Sequence, residues 1–338
     1  MKLIVYAATG VALASTGAWA APGCSTYPTG TPDQIGSDDL NTRFGAVPKP
    51  SRPLHFAYVT KTLINEFWQD AAASAKQEAA RFGITLDIQA AKDEASMIEQ
   101  LNLAQTVASQ KPDALLLSPE SDSNLAPVVE AAREANVPTV IIDDARTKGA
   151  SVYIGTDQVS IGADAADYFH KIDPKGGNLA QIEGAAGSPN ARLRMQGFTS
   201  RLGAYPNLHL VASQPGNWDR LTSMNAAANI VRQHPELVGI YANNDGMALG
   251  VYEAMANADL ATKVAVVGTD GIREARRSIK SGEMSATVAE FPLVEGKLGV
   301  DIALRLLACQ AIPPWVVSPH AVLTKVSLAQ HASAQAGE

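Results

Sequence analysis

From residue 55 onward the chain alternates short, wholly apolar runs with longer stretches of helical spacing, and no other feature restricts its fold as tightly. The first series reads as strand 55–60, helix 67–82, strand 84–89, helix 95–110, strand 113–118, helix 123–136 and strand 138–142. Runs such as DALLLS and PTVII are apolar at nearly every position, the pattern of strands covered on both faces. The first helix aligns Phe67, Ala71, Ala75, Ala79 and Phe82 on one stripe, and Gly83 ends it.

After a connecting segment at 151–157 the alternation resumes. It gives helix 159–171, strand 178–183, helix 190–203, strand 207–213, helix 219–234, strand 237–242 and helix 246–257. Strand 264–268, helix 271–281, strand 284–289, helix 293–309 and a final strand near 320–326 complete it. Two such series in succession predict an α/β protein with two doubly wound parallel-sheet, Rossmann-like lobes.

Open sheets of this kind bind ligands beyond the carboxyl ends of their strands, so the polar residues found there carry the most information. Lys61 and Asn65 follow the first strand, and Asp143 and Asp144 the fourth. In the second series Glu183 and Arg192, Asn244 and Asp245, Asp270 and Glu290 take the same place. Any one Asp or Asn there is accounted for as a helix N-cap. Lys and Arg cannot cap an N-terminus, so the set as a whole reads as the lining of a polar site.

The flanks read differently. Lys2, an apolar stretch over 3–13 and the small-x-small triplet Ala18, Trp19 and Ala20 predict an export signal at 1–20 and a periplasmic protein. Residues 21–52 are rich in Pro, Gly, Ser and Thr without a period, and read as an extended arm. The two cysteines, Cys24 and Cys309, then meet an oxidising compartment, where a bridge and two inert thiols both stay open.

Several chemistries are disfavoured. The net charge of −7 comes with signs interspersed and no basic run, which argues against a nucleic-acid partner. No Walker lysine loop, strand-linked G-x-G-x-x-G, G-x-S-x-G or H-E-x-x-H occurs, and the six histidines are not at metal-ligand spacing. Neither a catalytic group nor a metal or cofactor is expected. GAAGSPNAR at 184–192 reads as a plain strand-to-helix turn. Asp143 and Asp144 as an acid–base couple lack an accompanying nucleophile.

Beyond these readings, residues 53–328 resemble the exported ribose-type sugar-binding proteins of bacterial ABC importers, which have a LacI-like fold. The stretches that carry the resemblance, in order, are NEFWQDAAASAKQEAARFG, DALLLSPESDSN, ANVPTVIIDDARTKG, IGTDQVSIG, ASQPGNWDR, NNDGMALG, VVGTDG and SATVAEFP. A repressor of that fold carries an N-terminal helix-turn-helix, where this chain has a signal and a Pro-rich arm.

The resemblance implies an N-terminal lobe of 53–156 plus 291–318, a C-terminal lobe of 157–290 plus 319–330, and a tail at 331–338. A three-segment hinge near 156–157, 290–291 and 318–320 would join them, with the ligand in the interlobe cleft. It also implies closure around that ligand, delivery to an inner-membrane ABC permease, and a monomer. Carried over by position, the pocket holds Lys61, Asn65, Phe67, Trp68, Asp143 and Asp144 from one lobe. Arg192, Trp218, Asn244 and Asp270 come from the other, with Glu290 at a crossing. Aromatic faces stack on sugar C–H faces, while fixed donors and acceptors meet the hydroxyls. Asp143-Asp144 stands where ribose binders carry Asp-Arg, Lys61 where they carry a small polar residue, and Glu290 where they carry Gln. These departures turn the expectation from ribose to another neutral sugar or polyol, ahead of an amino sugar or a furanosyl quorum signal. A periplasmic sensor of the same fold and an exported hydrolase are the alternatives in function.

Overall fold

The structure is a computed structural model in which residues 33–329 are described. The expected signal, Cys24 and the 331–338 tail lie outside the described residues. The described residues open with β1 (Gln34–Gly36) and α1 (Leu40–Phe44). There follow β2 (His55–Thr62), α2 (Glu66–Arg81), β3 (Thr85–Ala91), α3 (Met97–Ser109), β4 (Ala114–Leu117), α4 (Ala126–Glu134), β5 (Thr139–Ile142) and β6 (Val152–Gly155). The second series is α5 (Gln158–Ile172), β7 (Gly177–Glu183), α6 (Pro189–Leu202), β8 (Leu208–Pro215), α7 (Arg220–Gln233), β9 (Leu237–Ala242) and α8 (Asp245–Asn257). It ends with β10 (Ala265–Asp270), α9 (Arg273–Ser281), β11 (Ala286–Glu290), α10 (Pro292–Leu307), β12 (Trp315–Val317) and β13 (His320–Thr324).

Among the described residues these strands form two sheets, ordered β1-β12-β6-β5-β4-β2-β3 and β13-β11-β10-β9-β7-β8. Every pairing is parallel except that of β13 with β11. The two-lobed α/β expectation is met. The chain passes from one sheet to the other after β6, after β11 and after β12. β4 is buried at all four positions, as its unbroken apolar run requires. Each Leu buried there contributes roughly 1.5–3 kcal/mol.

Local signals were sound where a period was long. Asn65 caps α2 by accepting from the Phe67 N–H at 2.9 Å, and Ala71, Ala75 and Ala79 of its stripe are wholly buried. Three short strands depart from the sequence reading. The supposed connecting segment at 151–157 contains β6, and β12, in the first sheet, is a further strand just before the expected final one, which is β13 in the second sheet. The described part of the arm is not simply extended either, because β1 adds to the edge of the first sheet beside β12. Ile35 and Leu40 are buried, and the buried Arg305 of α10 donates to Asn41 at 2.7 Å and to the Gly45 carbonyl at 2.9 Å. Strands of three or four residues carry too few positions to show a period.

One close approach prepares the site. A β-carbon at Gly162 in α5 would stand 2.0 Å from the Arg194 carbonyl oxygen, so only glycine lets α5 and α6 come this near. That contact brings Gln158, the first residue of α5, against the Arg194 side chain.

Candidate functional site

A small cavity of about 20 Å³ lies between the carboxyl ends of the two sheets. Lys61, Asn65, Phe67, Trp68, Glu94, Asp143 and Asp144 reach it from the first lobe. Asn190, Arg194, Trp218, Asn244 and Asp270 reach it from the second.

At one end stands Lys61, 1% exposed, its ammonium paired with Asp144 and 3.9 Å from Glu94. The ammonium also sits 5.4 Å from the Trp68 ring centre and 6.0 Å from that of Trp218, one indole from each lobe. Phe67 meets Trp68 edge to face at 4.9 Å, and both rings pack into the apolar cluster of the second lobe. Trp218 rests on Gly184, where a β-carbon would come within 2.1 Å of the ring. Asn217 and Trp218 both take left-handed backbone (φ 54° and 63°), so the turn that aims this indole is held by its surroundings.

Asp143 and Asp144 are also consecutive left-handed residues, at φ 54° and 53°. The turn sends both carboxylates across the cleft. Asp144 accepts from the Ser188 hydroxyl at 3.1 Å and the Asn190 N–H at 3.3 Å, at the start of α6. A carboxylate at a helix N-terminus meets unpaired backbone donors and the positive end of the helix dipole. Asp143 accepts from the Asn190 amide at 3.2 Å and from Gln158 at 3.3 Å.

Arg194 organises the other end. Its guanidinium donates to Gln158 at 2.7 Å, to the Asn243 carbonyl at 2.6 Å, to Asp270 at 3.4 Å and to Glu290. Gln158 in turn donates to Glu290 at 2.7 Å. Asp270, at φ 115°, precedes Gly271 at φ 75°, and this bend turns its carboxylate into the cleft.

Burial sets the protonation of these groups. It pushes Asp143 and Asp270 up from the carboxylate range, against the pull of Arg194, and carries Glu290 to about 7. Burial likewise pushes the Lys61 ammonium down, while Glu94 and Asp143 pull the other way. For Arg194 burial is outweighed by Glu290 and Asp270, and its pKa is raised.

Two sequence assignments need correction. Arg192 is exposed, and the buried arginine is Arg194. Two residues span about 200° of an α-helix, so 192 and 194 face nearly opposite sides, whereas Asn190 and Arg194 share a face. Glu290 is wholly buried but stands behind Arg194 and does not line the cavity. Asn65 and Asn244 hold both roles. Each caps its helix, Asn244 by accepting from the Met247 N–H at 2.8 Å, while lining the cavity.

Glu94, Asn190 and Arg194 were missed. Asn190 lies on the segment read as a plain turn and Arg194 on the helix read over 190–203, and the i, i+4 spacing of two polar residues behind Ser188-Pro189 was the available signal. Glu94 donates nothing to a pattern in sequence; it reaches the site by accepting from Asn65 at 2.8 Å.

Comparison with known proteins agrees with this architecture. Residues 56–311 match the family described as the periplasmic binding protein domain. The D-allose-binding periplasmic protein of Escherichia coli K12 is 36% identical over 256 residues, covering 73% of this chain and 82% of that protein. The ribose import binding protein of the same bacterium is 31% identical over 252 residues, covering 74% and 84%. A solved ABC transporter periplasmic solute-binding protein from Actinobacillus succinogenes 130z, with bound D-allose, superposes with a TM-score of 0.79 at 30% identity. That match covers 82% of this chain and all of the other.

Proposed function

The chain belongs to the periplasmic binding protein family, and from that premise we propose that it captures a neutral monosaccharide or polyol between its lobes for an ABC importer. In this reading 1–20 directs export, the working unit is a single chain, and the loaded, closed form docks on an inner-membrane permease. The relatives above, named for D-allose and ribose, support the sugar class.

The observation that carries the choice of a neutral ligand is the pairing of every carboxylate in the cleft. Asp144 has Lys61, Asp270 has Arg194, Asp143 has two amides and Glu94 has Asn65. An amine entering here has to displace a donor that each carboxylate already holds. A hydroxyl, donor and acceptor at once, can replace one partner without leaving a buried charge unpaired. Two buried groups beside the cavity suit it further, since among the described residues the Trp218 indole N–H and the Asn190 side-chain oxygen have no hydrogen-bond partner.

The cavity is walled by side chains of both lobes and its carboxylates already hold partners, so entry requires the lobes to part and some of these pairs to exchange. Lys61 on Asp144 is the pair most easily exchanged, because Asp144 keeps its bonds to Ser188 and Asn190. Closure is then favoured because only the closed form places both lobes on the solute.

A thermal-shift screen over D-allose, D-ribose, other pentoses and hexoses, polyols and amino sugars tests the reading. A neutral sugar or polyol is expected to raise the melting temperature through preferential binding to the folded protein. Stabilisation by amino sugars alone, or by no member of the panel, overturns it.

A further inference from the structure

We infer that Arg273, together with Glu66 and Asp70, forms a latch across the mouth of the cleft that favours closure without touching the solute. The inference rests on the reading of the cleft as one that opens and closes around a sugar.

Glu66 and Asp70 lie four residues apart on the first turns of α2, so they face the same way. Arg273 opens α9 in the other lobe. Its guanidinium stands 2.5 Å from Asp70 and 3.7 Å from Glu66. The second Glu66 oxygen accepts from the Glu274 backbone N–H at 3.1 Å. The residue at the α9 N-cap position is Ile272, which has no side chain able to cap. A helix of the second lobe therefore takes its N-terminal cap from the first lobe.

None of Glu66, Asp70 and Arg273 lines the cavity. α9 is also held within its own lobe, by buried Ala275 and Ile279 and by the pair of Arg220 with Glu274 at 2.8 Å. Breaking the latch thus leaves both lobes intact and removes only a contact made between them. Arg273 is half exposed, so the latch is open to screening by salt, whereas the buried Arg194 cluster is not.

The test compares the full-length protein with Arg273→Glu and with the charge swap Arg273→Glu/Asp70→Arg. The first readout needs no sugar: the radius of gyration from small-angle X-ray scattering. Arg273→Glu is expected to be more expanded than wild type, the swap to return toward it, and wild type to expand as salt rises to ~0.5 M. The second readout is the dissociation constant for D-allose, expected to weaken about five- to tenfold in Arg273→Glu, mostly through faster release, and to recover in the swap. Unaltered melting temperatures of the unliganded variants separate a latch from a folding defect. Equal radii for wild type and Arg273→Glu, or no recovery in the swap, overturn the latch. If wild type binds no D-allose, the scattering still decides the latch, and the sugar reading is judged separately.

Discussion

The two ends of the cleft each bury a cation among carboxylates, yet they are built to opposite purposes. Arg194 spreads a planar fork over four partners, Gln158, Asn243, Asp270 and Glu290, which come from α5, the turn after β9, and the ends of β10 and β11. Lys61 pairs closely with Asp144 and more distantly, at 3.9 Å, with Glu94, under two indoles. A guanidinium with several fixed partners holds a structure together, whereas an ammonium on a flexible stem gives up one partner for another. The Arg194 end is therefore the frame and the Lys61 end the exchangeable part.

The largest expected effect breaks the frame. Arg194→Met strands Asp270 and Glu290 without their cation and should lower unfolding stability by about 3–5 kcal/mol in urea titrations. Lys61→Met is expected to cost less, about 1–3 kcal/mol, because Asp144 retains its two donors on α6. Equal losses in the two variants would erase the distinction. Trp218→Ala, measured by calorimetric titration with D-allose, should weaken binding by about 1–3 kcal/mol, since it removes both a stacking face and an unpartnered N–H.

The smallest effect is one of pH. Glu120 is buried near Lys61, neither of its oxygens has a hydrogen-bond partner among the described residues, and burial lifts its pKa to about 7 against the pull of Lys61. A carboxyl whose pKa is raised by folding contributes fully below its ordinary value, and its contribution is lost as pH climbs through about 7. Stability should therefore decline between about pH 5 and pH 8, and Glu120→Gln should recover on the order of 1 kcal/mol at the upper end. Glu290 shifts in the same direction at the other end but is tied to Arg194, so Glu120 is the cleaner probe.

Much of this was legible in the sequence, for identifiable reasons. The helical stripe specified α2 and an unbroken apolar run specified β4, and the polar residues that follow strand ends named Lys61, Asp143, Asp144 and Asp270 as neighbours in space. What was not legible depended on rotation about an axis or on distant pairing. Arg192 and Arg194 look alike in a list, and only the helix turn decides which one is buried. β1 and β12 are three residues each and pair across nearly the whole chain, so neither shows itself locally. Glu290 was placed in the cleft because it ends a strand, but the neighbouring Arg194 fills the space in front of it.

A crystal structure of the complex with D-allose, or with whichever neutral sugar in the screen stabilises most, bears on the central claim most directly. Hydroxyl oxygens are expected within hydrogen-bonding distance of Asp144, Asn190 and the Trp218 indole N–H, with Lys61 moved off Asp144 and the Arg194 contacts unchanged. A sugar bound outside the cleft, or bound in it with Lys61 still on Asp144 and Arg194 displaced, would contradict it.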